Sequence, residues 1–374
     1  MQKRRVVHIV EALGGGVYSY FIELTQVLGP HPEIATTIIY SPSRQEIDPD
    51  QVVTDFHPAV ELIALPMQRK LHPLKDWQTL NELTRLLGHL QPDILHLHSS
   101  KISVLGRLAK SRAHLDCRCY YSPHGYAFLR QDISGWKRAF YKQIEKWMAK
   151  HYGGITLACG DTEWAYAQEM GPALLIRNGV PIARVEQYRR SANTSGPLQI
   201  GILGRITEAR DPAFFNTLAK RHPELEFIWI GDGHQRTILT SPNIKVTGWF
   251  MDREQAWECL SSLDVYLQIS LWEGLPLAPL EAMAMHLPVI ASRVIGNQDI
   301  VKHGETGYLC TSLNEFDQAI EKLKSPEHRR ELGQQGRARV ADFFDSTKNF
   351  KQLIELYLQT DAASDVQIGS STAR

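Results

Sequence analysis

The chain has no surplus charge of either sign: its 374 residues hold 41 Lys and Arg against 41 Asp and Glu. A protein that binds nucleic acid through backbone phosphates carries a basic excess, so nucleic acid is not an expected partner. Cysteine is scarce. The five, Cys117, Cys119, Cys159, Cys259 and Cys310, are odd in number and contain no C-x-x-C pair. That argues against a zinc site or a disulfide framework, and for a reducing, cytoplasmic compartment. No run approaches the roughly 20 apolar residues of a membrane-spanning helix. The basic start, Met1 to Arg5, is followed by the short apolar run Val6 to Val10. That run is too brief for a signal-peptide core and reads as a first strand. No set of His, Asp and Glu has metal-ligand spacing, so neither a metal nor a cofactor is expected.

What the chain does have is the composition of a globular protein, 43% hydrophobic and 22% charged. Its length suits two domains of about 150–200 residues. Short β-branched runs alternate with amphipathic stretches. Strands are expected at Val6–Val10, Thr36–Tyr40, Val60–Leu65, Asp93–Leu97, Cys119–Ser122 and Gly154–Ala158. Helical patterns such as Tyr18–Leu28, Trp77–Leu90 and Trp136–His151 lie between them. Residues 178–197 turn polar and end in Ser-Gly-Pro, which reads as a link between domains. A second alternating set follows: Leu198–Leu203, Glu226–Ile230, Ile244–Thr247, Asp264–Gln268 and Pro288–Ala291, with a helix at Pro276–Met285.

Alternation of this kind implies a parallel sheet with helices on both faces. The expected organisation is α/β: two tandem Rossmann-like domains, residues 1–177 and 198–344, facing a cleft. Residues 345–360 should form a C-terminal helix packing back on the first domain, and 361–374 a disordered tail. Ligands of doubly wound sheets bind beyond the carboxyl ends of the strands, so functional residues are sought just after strands.

The strongest pattern runs from Ser270 to Ala284 and reads SLWEGLPLAPLEAMA. Glu273 and Glu281 lie eight positions apart, between a strand and a helix that opens near Pro276. A helix N-terminus offers unpaired N–H groups and about half a positive charge, a ready site for a diphosphate. Glu281, about a turn and a half into the helix, can accept hydrogen bonds from ribose hydroxyls. Glu273 can address hydroxyls of a sugar. The plainer alternative is a strand–loop–helix corner with one glutamate as a cap. The second pattern is Gly201-Ile-Leu-Gly204-Arg205-Ile-Thr-Glu-Ala-Arg210-Asp211-Pro212. Arg205 can form two parallel hydrogen bonds to a phosphate, and Arg210 supplies a second positive arm. Surface arginines in a solvated loop are the alternative there.

In the first half, Gly14-Gly15-Gly16 follows the first strand and opens a helix. Glycines let backbone N–H groups approach a ligand, though a tight strand–helix turn also accounts for them. A dinucleotide-binding loop does not fit, because the last G-x-G-x-x-G position is Ser19 and the second strand ends in Tyr40-Ser41 without an acidic ribose ligand. The segment HLHSSK puts His96 and His98 on one strand face, followed by Lys101, and His124-Gly125 follows another strand. Each histidine has an ordinary structural reading beside the functional one.

The Glu-x7-Glu spacing inside EGLPLAPLEAMAMHLPVIAS, with GRITEARDP and Gly231-Asp-Gly233 before it, resembles glycosyltransferase family 4 and its two-Rossmann GT-B fold. The resemblance spans most of the chain and implies retaining transfer of a sugar from a nucleotide-sugar, without metal or catalytic nucleophile. The nucleotide-sugar is then substrate, not cofactor. Carried over, Glu281 would bind the ribose and Glu273 the transferred sugar. Backbone N–H groups near Leu275 to Leu277 would meet the phosphates, with Gly274 and Pro276 shaping the same donor-binding turn, and Thr247 to Phe250 would hold the base. His124, Arg205, Arg210 and Glu273 would carry the catalysis. Gly16 and Gly204 would complete the donor site; Gly15, His98 and Lys101 would face the acceptor. The family's basic pair is usually Arg then Lys, so Arg210 is a departure that keeps the charge and changes its shape.

Many members of the family build surface polysaccharides on lipid-linked acceptors at the inner membrane face. A glycan or lipid-linked acceptor is therefore expected. A transferase or epimerase of a small soluble substrate, or a non-catalytic nucleotide-sugar-binding subunit, is the alternative. Residues 134–152 interleave Lys137, Arg138, Lys142, Lys146 and Lys150 with aromatics around one acid, Glu145. Such a helix can lie on an anionic membrane, or bury its aromatics as an ordinary domain helix.

Overall fold

The structure is a computed structural model that describes residues 3–43, 49–68, 70–190, 196–250 and 252–359. The expected tail at 361–374 and part of the link, 191–195, lie outside the described residues.

The first domain alternates strand and helix: β1 (Arg4–Val10), α1 (Gly16–Leu28), β2 (Ile34–Tyr40), α2 (Pro49–Asp55), β3 (Glu61–Ala64), α3 (Pro73–Leu90), β4 (Ile94–His98), α4 (Ser100–Arg112), β5 (Arg118–Ser122), α5 (Gly135–Tyr152), β6 (Ile155–Ala158), α6 (Asp161–Gln168) and β7 (Ala173–Leu175). A short helix, α7 (Ile182–Val185), leads to the second domain: β8 (Gln199–Leu203), α8 (Pro212–Arg221), β9 (Glu226–Ile230), β10 (Ile244–Val246), α9 (Arg253–Leu260), β11 (Val265–Gln268), α10 (Leu277–Ala284), β12 (Val289–Ser292), α11 (Asn297–Ile300), β13 (Gly307–Cys310), α12 (Leu313–Lys322) and α13 (Pro326–Phe343). The last helix is α14 (Ser346–Leu358).

Each domain holds one parallel sheet, ordered β3-β2-β1-β4-β5-β6-β7 and β10-β9-β8-β11-β12-β13. Strand order reverses between β1 and β4 in the first sheet and between β8 and β11 in the second. These are the switch points where doubly wound sheets open a crevice. The halves repeat a detail of construction. Asp93 accepts the N–H of Arg5 at 2.7 Å just before β4, and Asp264 accepts the N–H of Gln199 at 2.9 Å just before β11. The sequence pattern places both aspartates first in their strands, yet each side chain instead pins the neighbouring central strand, and the strands begin one residue later. Two edge strands, β7 and β13, were not expected; they hold three and four residues. Runs that short carry no alternation to read.

The link is more ordered than its composition suggests. Val180, Ile182 and Val185 are buried in the second domain's core beside Trp257 and Leu280. The Val180 N–H donates to Phe344 O at 2.9 Å and the Ser346 N–H to Val180 O at 3.1 Å, so the chain crosses itself where it passes between domains. Helix α14 then lies on the first domain. Phe350, Leu353, Ile354 and Tyr357 join the core formed by Val6, Val10, Phe21 and Leu24.

Candidate active site

Two helix N-termini face each other across the cleft. Helix α1 opens at Gly16 and α10 at Leu277. Neither has a side-chain cap or an acidic residue in its first turn. A Cβ placed on Gly16 would lie 3.9 Å from Leu277 Cγ, which measures how closely they approach. The first N–H groups of both helices are thus available to one anion. Pro276 is the N-cap of α10 rather than its first helical residue, so the helix begins one residue later than the sequence pattern places it. Gly15 is exposed, with no heavy atom within 4 Å of where its Cβ would stand.

The β8 loop brings in the basic pair. Gly204 and Arg205 follow the strand and are half-buried. Arg210 closes a turn of 3-10 helix, and Asp211 caps α8 by accepting from the Phe214 N–H at 3.1 Å. The Arg210 guanidinium runs back to Leu203 O at 3.3 Å and Gln268 Oε1 at 3.1 Å, with its Nε 3.6 Å from Glu273 Oε1. Glu273 Oε1 also accepts from Ser270 Oγ at 2.8 Å and Gln268 Nε2 at 3.0 Å. Arg210 and Glu273 are therefore brought together, at the ends of β8 and β11. Gln268 and Ser270, which orient Glu273, were missed by the sequence reading.

Glu281 is 4% exposed and ion-paired with Arg253, whose Nε lies 2.9 Å from Glu281 Oε1. Arg253 also reaches Glu23 Oε1 at 3.5 Å, and Glu23 is 3.3 Å from Arg184. Burial pushes the Glu23 carboxyl upward while Arg253 and Arg184 oppose the shift. A cation at the first position of α9 sits at the unfavourable end of the helix dipole. Its place is explained by the two carboxylates it joins, one from each domain. The sequence feature that marks Glu23 is that it is the single charged residue of α1, GVYSYFIELTQVL.

On the other wall, His124 follows β5 in a left-handed conformation, φ 52°. Its Nε2 is 2.9 Å from His98 Nδ1, and its Nδ1 is 3.4 Å from the Asn178 amide nitrogen. Burial pushes the ring down to about 4. Two acceptor-side expectations need correction. His98 is fully buried, with one nitrogen bonded to His124 and the other 3.0 Å from His8 Nδ1, so it cannot touch an acceptor. Lys101 is engaged by Asp76 at 2.5 Å, Gln68 O at 2.5 Å and Lys70 O at 2.9 Å, which ties down the loop after β3. His8 and His96 are register partners on β1 and β4, so the sheet gathers His8, His96 and His98, with one nitrogen of each within 4.8 Å of the others. Sequence spacing hid this cluster because His8 comes from another strand. His96 is already bonded to Tyr357 Oη at 2.5 Å and Ser122 Oγ at 2.9 Å, so the cluster is a hydrogen-bonded stack.

The two walls touch beside the site. A Cβ on Gly274 would stand 2.7 Å from His124 O and 2.9 Å from Gly125 N, so only glycine admits this approach of the domains. Glu163 holds the same turn, accepting from the N–H groups of Gly125 at 2.7 Å and Cys159 at 2.8 Å. Across the junction the Thr162 hydroxyl donates to Asp299. None of these contacts has a sequence signature, since each joins residues from separate elements.

Comparison with known proteins agrees with this geometry. The family model described as Glycosyl transferases group 1 matches residues 200–325, and that described as Glycosyl transferase 4-like domain matches 28–187. A UDP-Gal:alpha-D-GlcNAc-diphosphoundecaprenol alpha-1,3-galactosyltransferase of Escherichia coli is 29% identical over 328 residues, 78% of this chain and 81% of that protein. Sucrose-phosphate synthase of Thermosynechococcus elongatus superposes with a TM-score of 0.76 at 19% identity, over 97% of this chain and all of that one. HepE of Anabaena, solved with UDP and glucose, superposes with a TM-score of 0.76 at 15% identity, over 95% and 99%. With both domains matched and the two-Rossmann architecture in place, the chain belongs to glycosyltransferase family 4 and is a glycosyltransferase of the GT-B type.

Proposed function

We propose that the enzyme takes its sugar from a uridine-diphosphate sugar. It transfers that sugar, with retention and without a metal ion, to a glycan or lipid-linked acceptor in the assembly of a capsule, exopolysaccharide or lipopolysaccharide. The observation that carries this reading is the approach of the uncapped α1 and α10 N-termini, with Arg210 held 3.6 Å from Glu273 in the loop before α10. That arrangement supplies positive potential to a diphosphate from protein groups alone. Uridine and a lipid diphosphate are favoured because the E. coli relative is named for both, and HepE was solved with UDP.

In the proposed reaction the bond between the sugar's C1 and the diphosphate oxygen breaks. Arg205, Arg210 and the helix N-termini take up the charge that develops on the phosphate. The acceptor hydroxyl forms its new bond to C1 on the face the phosphate leaves, and passes its proton to a phosphate oxygen. Glu273, held by Ser270, Gln268 and Arg210, orients the sugar hydroxyls. Glu281 receives the ribose, sharing its carboxylate with Arg253. Incubation with UDP-sugars, chelator and an undecaprenyl-diphosphate-linked sugar should release UDP in step with acceptor consumed and give a product of the donor's anomeric configuration. An inverted product, or UDP release indifferent to the acceptor, counts against the reading.

A peripheral place at the cytoplasmic membrane face belongs to the same proposal. No helix of the described residues is long and apolar enough to cross a membrane. On α5, Trp136, Phe140 and Trp147 are 69%, 54% and 51% exposed beside the exposed Lys137 and Lys150. The helix's one acid, Glu145, is buried under the Tyr121 hydroxyl at 2.9 Å. The outward face is therefore cationic and aromatic, complementary to anionic lipid. Flotation with phosphatidylglycerol vesicles at low salt should carry the enzyme. Replacing the three aromatics by serine should release it. Flotation undiminished in that variant would rule out α5 as the contact.

A further inference from the structure

The stacked histidines of the first domain form a chain with an orientation. His8 Nδ1 lies 3.0 Å from His98 Nε2, and His98 Nδ1 lies 2.9 Å from His124 Nε2. The rings of His98 and His124 are stacked at 5.2 Å between centroids, 11° apart. Burial holds all three below their usual range, His8 to about 3, His124 to about 4 and His98 well below, so each is neutral at pH 7. A neutral imidazole has one N–H and one lone pair. The middle ring must therefore donate at one end and accept at the other, and the three rings must carry their protons on the same type of nitrogen.

The far end of the chain selects the direction. His8 Nε2 is buried and makes no hydrogen bond. With protons on Nε2 throughout, that atom would be an N–H sealed in the core without an acceptor. With protons on Nδ1 throughout, it is a bare lone pair. Orphaned buried N–H groups are the rarer of the two defects. The near end tolerates this direction, because Nδ1 of His124 has the Asn178 amide at 3.4 Å, which can turn its oxygen to face an N–H.

We propose that His8 and His98 are positioning residues of the transferase: they fix His124 as the Nδ1–H tautomer, so that its ring presents a donor at the domain junction, where the His124 backbone meets Gly274. A ring N–H there donates to a sugar oxygen; a lone pair does not. The 3.4 Å separation from Asn178 is long for a hydrogen bond, so a ligand oxygen replaces that partner at little cost. This deepens the glycosyl-transfer reading, with His124 beside the sugar, but makes a claim that can fail separately.

The test is the tautomeric state of the three histidines in the intact protein, read from two-bond 1H–15N spectra of 15N-histidine-labelled enzyme. The expected result is a proton on Nδ1 in His8, His98 and His124 alike. A proton on Nε2 in any of them overturns the proposal, whatever the enzyme transfers. Kinetics supply the second arm. His8→Leu removes the selecting end and should lower kcat about tenfold, the worth of one hydrogen bond, with the KM for the UDP-sugar within about twofold. His8→Asn, whose amide nitrogen stands where Nδ1–H stood, should restore most of the loss. Equal damage in both variants, or an unchanged His124 tautomer in His8→Leu, contradicts the relay. Should His8→Leu fail to fold, the wild-type spectrum decides alone.

Discussion

His124 ends the buried stack at the domain junction and is kept neutral by burial, which pushes its ring down to about 4. The sign follows directly. A lowered value means the ring binds no proton through the range where an unperturbed histidine titrates, near 6.5. The pH profile of kcat/KM from 5.5 to 7.5 should therefore contain no inflection that disappears in His124→Gln. An inflection near 6.5 that this variant removes would show that His124 works as a charged group. At this scale the sequence was informative where a residue's role depends on its place along the chain. Arg205, Arg210, Glu273 and His124 come just after strands and Glu281 lies on the helix that follows β11; the structure brings Arg210 to Glu273 and the His124 carbonyl to Gly274. It was silent where the role depends on a partner from elsewhere. Arg253 meets Glu23 across 230 positions, and His98 gains its meaning from His8, 90 positions away. Lys101 looked like an acceptor ligand until the loop it holds was seen.

Among the elements, α10 does most to define the site, and its sequence LAPLEAMA has no acid in the first turn. A helix normally gains from an acid there, so the open N-terminus is what a diphosphate needs rather than what the helix prefers. The variant Ala278→Asp separates the two. The carboxylate should raise Tm slightly through the helix dipole, while weakening binding of UDP by about 3- to 30-fold through repulsion of the diphosphate. Thermal melting and a UDP titration on the same samples check both signs; tighter or unchanged UDP binding would mean that this N-terminus is not the phosphate site. The long elements were legible because their periodicity extends over many residues. Strands β7 and β13 were not, being held by neighbours that no short window contains. Pro276 was legible as a helix boundary but not to the residue.

The whole molecule is two sheets whose switch points oppose one another, joined where glycines let backbone meet backbone. Composition and alternation were enough to anticipate two Rossmann-like layers. The crossing of the chain at Val180 and Ser346, and the seating of α14 against Phe21 and Leu24, depend on long-range packing that periodicity does not encode. The α1 N-terminus meets α10 and Gly125 meets Gly274, so both domains border the proposed donor site. In the proposed reaction the second domain binds a nucleoside diphosphate with protein charges alone. The most direct test is a calorimetric titration of UDP, in the presence of chelator, into the wild type, Arg205→Ala and Glu281→Gln. Measurable binding to the wild type is expected, with affinity about 10- to 100-fold lower in Arg205→Ala, the loss of a charged hydrogen bond. A smaller loss is expected in Glu281→Gln. Binding that vanishes with chelator, or equal affinity in all three proteins, would contradict it.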